Sequence, residues 1–462
     1  MIGHLLKPEI DELIRTRNFT QLRDLLVEFP ASDVAEIFID LSPEEEAVML
    51  RLLPRHLSAE VFGHLPHPDQ EALLHALAKE DVAAILNDMT PDDRTALLEE
   101  LPSSATQKLL ELLSVEERKV ATDLLGYPKH SIGRLMTPQF VAIKQSWTVA
   151  EVLAHLRKEA SKRQTMNQLY VVDQHGELVD FVRLRDVVTH PLETPIAEVL
   201  EGHVFKLHAT DDRETAVASF KKYGVTILPV VDSRDELVGV VTVDDVLNVA
   251  EAEATEDMQK LGGMEALDAP YFKISLVDML KKRAPWLAIL FVSEMFTSTA
   301  MGYFEKEIEK AAVLALFLPL ILSSGGNSGS QATTLIIRAM ALRDIVLKDW
   351  WKVFRRELAA GFMLGCVLAA LGVIRILAWQ WLGLKDYGAA TYPLLALTIG
   401  GSLVGVVLWG SLMGAMLPML LRALRLDPAT CSAPFVATLV DVTGIIIYFT
   451  VAWHIMLHGS PL

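Results

Sequence analysis

Asp441 lies near the middle of "SAPFVATLVDVTGIIIYFTVAWHIML" (Ser432–Leu457), a stretch apolar and long enough to cross a bilayer. A carboxylate at that depth costs ~2.5–3.5 kcal/mol even on lenient insertion scales, and its side chain is too short to reach the interface. The chemistry open to one such group, flanked by Thr438, Thr443 and Gly444, is cation binding. A second stretch, "FLPLILSSGGNSGSQATTLIIRAM", offers partners. Pro319 removes a backbone donor, and the Gly/Ser-rich run Ser323–Ser330 predicts irregular backbone of the kind tolerated at membrane depth where it lines a cavity. Freed carbonyls there, Gly326 among them, and the Asn327 amide would then face water or an ion. The same small residues also suit tight helix packing. No Cys, His or Met joins the cluster, so the cation should be hard. One Asp per chain is thin for a divalent ion. A two-fold axis would pair two Asp441 side chains, and Mg²⁺, which dehydrates reluctantly, would be gripped through its bound waters.

Glu294 and Arg375 are the other charged groups away from the very ends of the apolar stretches. Glu294 reads either as a satisfied buried acid or as a functional one. Arg375 is near enough to an end to snorkel and is assigned no role. An enzyme is not expected: an intramembrane aspartyl protease needs two facing catalytic carboxylates, and only Asp441 is deep, with no GxGD phrase in the chain.

The elements that must hold Asp441 are five apolar spans, near 285–304, 311–340, 358–382, 393–421 and 434–457. Basic residues mark one side of them: Lys281, Lys282 and Arg283, then Arg338, Arg343, Lys348, Lys352, Arg355 and Arg356, then Arg422 and Arg425. The other side holds only Lys306, Lys310 and Lys385. The positive-inside rule places the N-terminus and soluble half in the cytoplasm and the C-terminus outside, in a multi-pass protein of the cell (inner) membrane. The start "MIGHLLKPEIDELIRTRNF" has no signal-peptide pattern.

Ahead of the spans the chain is acidic. Of its 462 residues, those before Pro285 include 49 acidic and 30 basic, a net −19, against 10 and 12 afterwards, a net +2, which sum to −17. No nucleic-acid partner is expected; membrane lipid is. The two cysteines, Cys366 and Cys431, give neither a disulfide framework nor a zinc site.

A 24-residue period runs through the first 120 residues: "AEIF" at Ala35, "AEVF" at Ala59 and "AAIL" at Ala83. Helix-start phrases such as "SPEEEAVML" and "TPDDRTALL" recur with it, carrying N-cap Ser or Thr before Pro and acids. Short stacked helices with this period predict an all-α superhelix over 1–130. From Ile132 the texture is strand and helix. "LYVVDQHGELVDFVRLRDVV" (Leu169–Val188) is echoed by "LPVVDSRDELVGVVTVDDVL" (Leu228–Leu247), an α/β pair over 131–258. An amphipathic stretch over 259–284, with Ile274, Leu276, Val277 and Leu280 on one side, predicts a connecting helix at the membrane surface. An all-α membrane domain over 285–462 completes a multidomain membrane protein.

The echoed pair, with "RLMTPQFVAI" before it, resembles tandem CBS domains, which regulate attached transporters and bind adenosine nucleotides. Where the family's glycine follows the apolar pair, the first copy has Asp180 and the second Gly239. The resemblance implies ATP as a ligand, with Arg185 and Asp186 the candidate contacts. The whole order of blocks, with "PLILSSGGNSGSQATTLIIRA" and "PFVATLVDVTGIIIYF", resembles the MgtE family of magnesium channels. The resemblance implies a Mg²⁺-selective, Mg²⁺-gated homodimer with its pore on the two-fold axis, where Asp441 and the Ala437 carbonyl hold hydrated Mg²⁺. It also implies a cytosolic Mg²⁺ sensor made of Glu60, Asp92, Asp212, Glu214, Asp245, Glu253, Glu256, Asp257 and Asp427. Ala433 stands where the family has a polar Asn at the pore mouth. A carrier of another divalent cation such as Co²⁺, or a Mg²⁺ sensor that does not transport, are the alternatives.

Overall fold

The computed structural model describes residues 2–38, 41–159, 166–200, 202, 204–267, 271, 274–305, 308, 312–342, 344–388 and 391–457. Of the loop charges named above, Lys306, Lys310 and Arg343 lie outside these. The chain forms two compact units, residues 1–253 and 254–462. The superhelix and the CBS pair, separate blocks by sequence, share the first.

In that unit the helices Ala31–Phe38, Pro43–Leu52, Arg55–His64, His67–Ala76, Lys79–Asp88, Pro91–Glu100, Ser103–Leu110 and Val115–Leu125 begin every twelve residues. The 24-residue period is thus one helix pair. Most of these helices pack on the next but one, giving two stacked layers whose shared core includes Ala35, Phe38, Ala59, Phe62, Ile85 and Leu86. Caps bound the helices as their chemistry requires. Ser42 closes a capping box with Glu45, and Ser114 accepts from the Glu117 N–H. Thr90 differs: its hydroxyl donates to the Asp93 carboxylate at 2.8 Å instead of capping.

The echoed copies form two matching three-stranded sheets. Ala142–Lys144 pairs parallel with Gln168–Val172, which pairs antiparallel with Leu178–Arg183. Leu207–His208, Ile227–Val231 and Leu237–Thr242 repeat the pattern. The odd Asp180 of the first copy is buried, and one oxygen accepts from the Gly202 N–H at 2.8 Å. Its counterpart Gly239 has no room for a side chain, because a Cβ there would sit 2.7 Å from Met136 Sδ and 3.0 Å from the Thr137 carbonyl.

The last helix of the second copy, Val243–Leu261, runs on past the sheet and stops at Gly262–Gly263, Gly263 having φ +75°. This corrects the expected connecting helix over 259–284. Residues up to Leu261 belong to the CBS-derived helix, and those from Leu276 belong to the first span, Leu276–Tyr303, which runs through Pro285 unbroken. The amphipathic pattern is the N-terminal end of a longer helix.

Among the described residues, five helices are long and apolar enough to cross a membrane. After Leu276–Tyr303 come Leu318–Ala341, preceded by the short Ala312–Ala315, then Trp350–Trp381, Tyr392–Ala423 and Ala433–Ala452, the last running into Trp453–Leu457. The third starts eight residues before its apolar stretch, with Lys352, Arg355 and Arg356 in its first two turns. The second span overturns the expectation of irregular backbone: Leu318–Ala341 is continuous helix, so the Gly326 carbonyl is not freed by a break. The Gly/Ser run instead serves close packing. A Cβ on Gly410 or Gly414 of the fourth span would overlap the carbonyl oxygens of Gly325 and Gly329. Ser328 and Ser411 hydrogen-bond at 2.7 Å, and the Thr333 hydroxyl donates to the Gly414 carbonyl at 2.9 Å. Without water, such close approach and interhelical hydrogen bonds are what hold spans together.

Candidate cation path and cytosolic acid sites

Asp441 is half-buried on the fifth span, where it is brought next to the Gly-rich helix. A methyl group at Gly326 would lie 3.3 Å from Ala437 Cβ, so the backbone turn before Asp441 is pressed against the second span beside Asn327. The Asn327 amide, exposed in the single chain, donates to Ser323 Oγ at 3.4 Å. Two devices fix the orientation of the fifth span. The Thr443 hydroxyl donates to the Leu439 carbonyl at 2.8 Å and accepts from Trp409 Nε1 at 2.9 Å. Ser330 Oγ donates to the carbonyl of Ala433 at 3.2 Å. The four residues named for the membrane site (Asp441, Ala437, Asn327 and Gly326) thus belong to two packed helices at one level.

The N-terminal end of the fifth span is tied to the segment that follows the CBS-derived helix. Trp286 Nε1 donates to Ser432 Oγ at 3.1 Å, and that hydroxyl also caps the span by accepting from the Phe435 N–H. Gly263 leaves no space for a side chain, since a Cβ would sit 2.7 Å from Trp286 Nε1. Lys260 donates to Asp427 at 2.6 Å and to Glu256 at 2.7 Å. Burial works against its charge, but these two carboxylate bonds outweigh it and push its pKa up.

Arg375 sits 4.1 Å from the Trp379 ring and 5.8 Å from that of Phe317, a cation–π arrangement that gives it a packing role.

Among the described residues no three His, Cys, Asp or Glu side chains converge on one point. The nine predicted sensor acids fall instead into pairs and single groups. Asp92 and Asp245 are brought together: burial and then Asp93 push the Asp92 pKa up to about 6, and burial and then Asp92 push Asp245 up to about 8. Asp245 accepts from Thr242 Oγ1 at 2.7 Å. Glu253 is bonded to Arg213 at 2.7 Å, between Asp212, which caps helix Arg213–Tyr223 by accepting from the Glu214 N–H, and Glu214. Glu256 and Asp427 share Lys260. Glu60 is exposed on helix Arg55–His64, and Asp257 lies on Val243–Leu261. Sequence reasoning did not foresee Lys260 or Asp93. Lys260 was legible as the i+4 partner of Glu256; Asp93 was legible only through Asp92.

An open cleft of about 610 Å³ on the first CBS copy is lined by Arg183, Arg185, Asn167, Gln168 and Thr189, with Thr226 from the second copy. Arg185 is there as expected. Asp186 is not in the lining; it pairs with Arg185 at 3.3 Å. Arg183 is an addition.

A helical-repeat domain and a CBS pair ahead of five candidate spans, the last with a half-buried carboxylate, are the architecture of a membrane transport protein. The sequence matches the family described as MgtE, divalent cation transporter, over residues 318–451. It also matches the MgtE intracellular N domain over 29–130 and the CBS domain over 132–193 and 196–252. It is 39% identical over 447 residues to the magnesium transporter MgtE of Thermus thermophilus, covering 96% of this chain and 97% of that protein. To the magnesium transporter MgtE of Enterococcus faecalis it is 32% identical, covering 73% of this chain and 72% of that one. A crystal structure of the cytosolic domain of the Mg²⁺ channel MgtE in complex with ATP is similar at TM-score 0.50 and 34% identity, over 52% of this chain and 98% of that one. The chain belongs to the MgtE family.

Proposed function

We propose that the protein is a Mg²⁺-selective channel for magnesium uptake, a homodimer in the cell membrane with its N-terminal unit in the cytoplasm and its C-terminus outside. Two second spans and two fifth spans surround the path. Two Asp441 carboxylates and the Ala437 carbonyls accept hydrogen bonds from the water shell of Mg²⁺, and the Asn327 amides add polar lining. Holding the ion through its waters avoids the cost of stripping them. Two charges of −1 at low dielectric favour a divalent over a monovalent cation and repel anions. The observation that carries this reading is the half-buried Asp441 on a helix pressed, at Ala437, against Gly326 of the second span.

Gating is assigned to the cytosolic acids. Burial and neighbouring carboxylates raise the pKa of both Asp92 and Asp245, and the charge of Asp92 acts on Asp245, so full ionisation of the pair is costly without a cation. A Mg²⁺ ion that bridges them removes that cost, and similar bridges are assigned to Glu60, Asp212, Glu214, Glu253, Glu256, Asp257 and Asp427 where neighbouring surfaces meet. Mg²⁺ thereby favours one of two arrangements, closing the path when cytosolic Mg²⁺ is sufficient. Helix Val243–Leu261 is continuous from the second CBS sheet to Gly262 and is the natural lever for that change. The cleft with Arg183 and Arg185 has the size and donors for a nucleotide, and ATP bound there would tune the same equilibrium.

The test is uptake in Mg²⁺-starved cells. The wild type should restore growth and Asp441→Ala should not; full rescue by Asp441→Ala overturns the assignment.

A further inference from the structure

The first span carries a carboxylate that the reading above leaves unused. Glu294 is exposed in the single chain, and no hydrogen bond or ion pair to it is found among the described residues. Its depth follows from packing. The first and fifth spans meet at their inner ends, where Trp286 bonds Ser432, and at their outer ends, where Phe304 stacks on Phe449 with ring centroids 4.9 Å apart. They therefore run parallel. At 1.5 Å per residue, Glu294 stands ~12 Å beyond Trp286, and Asp441 stands ~13 Å beyond Ser432. The two carboxylates are therefore level on two parallel helices that pack against each other.

Thr297 supplies a second, independent observation. It is the buried residue of the first span, only 7% exposed, and its hydroxyl has no hydrogen-bond partner among the described residues. Helical threonines usually spend that hydroxyl on a carbonyl one turn back, as Thr299 does toward Met295 at 3.1 Å. Thr297 does not. A carboxylate held against hydrocarbon is costly, which favours a polar surrounding for the flank bearing Glu294. Two level carboxylates and a spare hydroxyl one turn on offer what the water shell of a cation uses: acceptors with free lone pairs.

We propose that Glu294, with the Thr297 hydroxyl beside it, is a second cation-selecting group at the Asp441 level, accepting hydrogen bonds from waters on the permeating ion. This rests on the pore reading and adds the first span to it. Four carboxylates in the dimer then favour a compact, strongly hydrated divalent ion over softer ones that shed water more readily.

The experiment is Mg²⁺ and Co²⁺ influx into proteoliposomes of the full chain, for wild type, E294Q, E294D, T297V and D441N. E294Q should raise the Mg²⁺ concentration for half-maximal influx about tenfold, the worth of one charge-assisted hydrogen bond. It should also raise the Co²⁺/Mg²⁺ influx ratio, which a packing defect would leave unchanged. E294D should recover most of both, and T297V should move the ratio in the same direction by less. Wild-type half-saturation and ratio in E294Q and T297V, with D441N inactive, overturn the role of Glu294 and leave the Asp441 path standing. Wild-type influx in D441N overturns the path itself. If E294Q fails to elute as a folded protein, T297V decides by the same ratio.

Discussion

Replacing Asp92 by Asn isolates the electrostatics of the proposed sensor. Asp92 is 4% exposed, and burial first and Asp93 second raise its pKa from 3.8 to about 6. At 1.36 kcal/mol per pKa unit, keeping it ionised at neutral pH costs on the order of 3 kcal/mol. Asn keeps the shape and the oxygen that accepts from the Asp93 N–H at 3.1 Å, so the charge is the main thing lost. In Mg²⁺-free buffer at pH 7.5 the thermal midpoint of the full chain should therefore rise in D92N. The sign with pH follows from linkage. Both folded pKa values lie above the ordinary 3.8, so the folded state holds more protons across pH ~4–8, and stability falls as pH rises through that window. The wild-type midpoint should drop from pH 5 to pH 8, with Asp245, near 8, still contributing at the upper end. In D92N the drop should be shallower, because Asp245 loses its charged neighbour. Mg²⁺ should stabilise the wild type by ~1.4 kcal/mol at ten times its dissociation constant and D92N by much less. The assay is differential scanning fluorimetry at several pH values, with and without Mg²⁺. A lower midpoint in Mg²⁺-free D92N, or an undiminished Mg²⁺ response, refutes the reasoning.

Other outcomes follow from the same geometry. Lys260→Gln removes the ammonium shared by Glu256 and Asp427, so Mg²⁺ should protect the segment before Gly262 from protease at a lower concentration than in wild type. An unchanged threshold contradicts this. Gly414→Ala places a methyl against the Gly329 carbonyl and should destabilise the membrane unit by ~1–3 kcal/mol, read as earlier thermal unfolding in detergent. Arg185→Ala should weaken ATP binding about tenfold by calorimetry, and Asp186→Asn, whose side chain is outside the cleft lining, should matter less; equal losses would place the nucleotide elsewhere.

Periodicity made most of the architecture legible. The 24-residue repeat became helix pairs because Ala35, Ala59 and their neighbours recur on a buried face, and the echoed strands became matching sheets in the same register. Where the reading failed, local composition pointed one way and tertiary packing another. Gly325 and Gly329 suggest a broken helix when the second span stands alone. They are helical because Gly410 and Gly414, some 85 residues on, need their backbones close. The connecting helix was misplaced because amphipathic residues before Pro285 continue a span instead of ending an element. The acids of the cytosolic half were visible by type, but which ones meet depends on how the superhelix and second CBS copy fold together. Nothing local says that Asp92 and Asp245, 153 positions apart, become neighbours. Glu294 was visible as a charge at depth; its alignment with Asp441 needed the Trp286–Ser432 and Phe304–Phe449 contacts.

The most direct measurement is anomalous scattering from Mn²⁺ soaked into crystals of the full chain. One peak should lie on the two-fold axis between paired Asp441 carboxylates, set back roughly 4–5 Å from their oxygens by a ~2.1 Å metal–water bond followed by a ~2.7 Å hydrogen bond. Asp441 side chains directed into lipid, or no peak at their level, would contradict it.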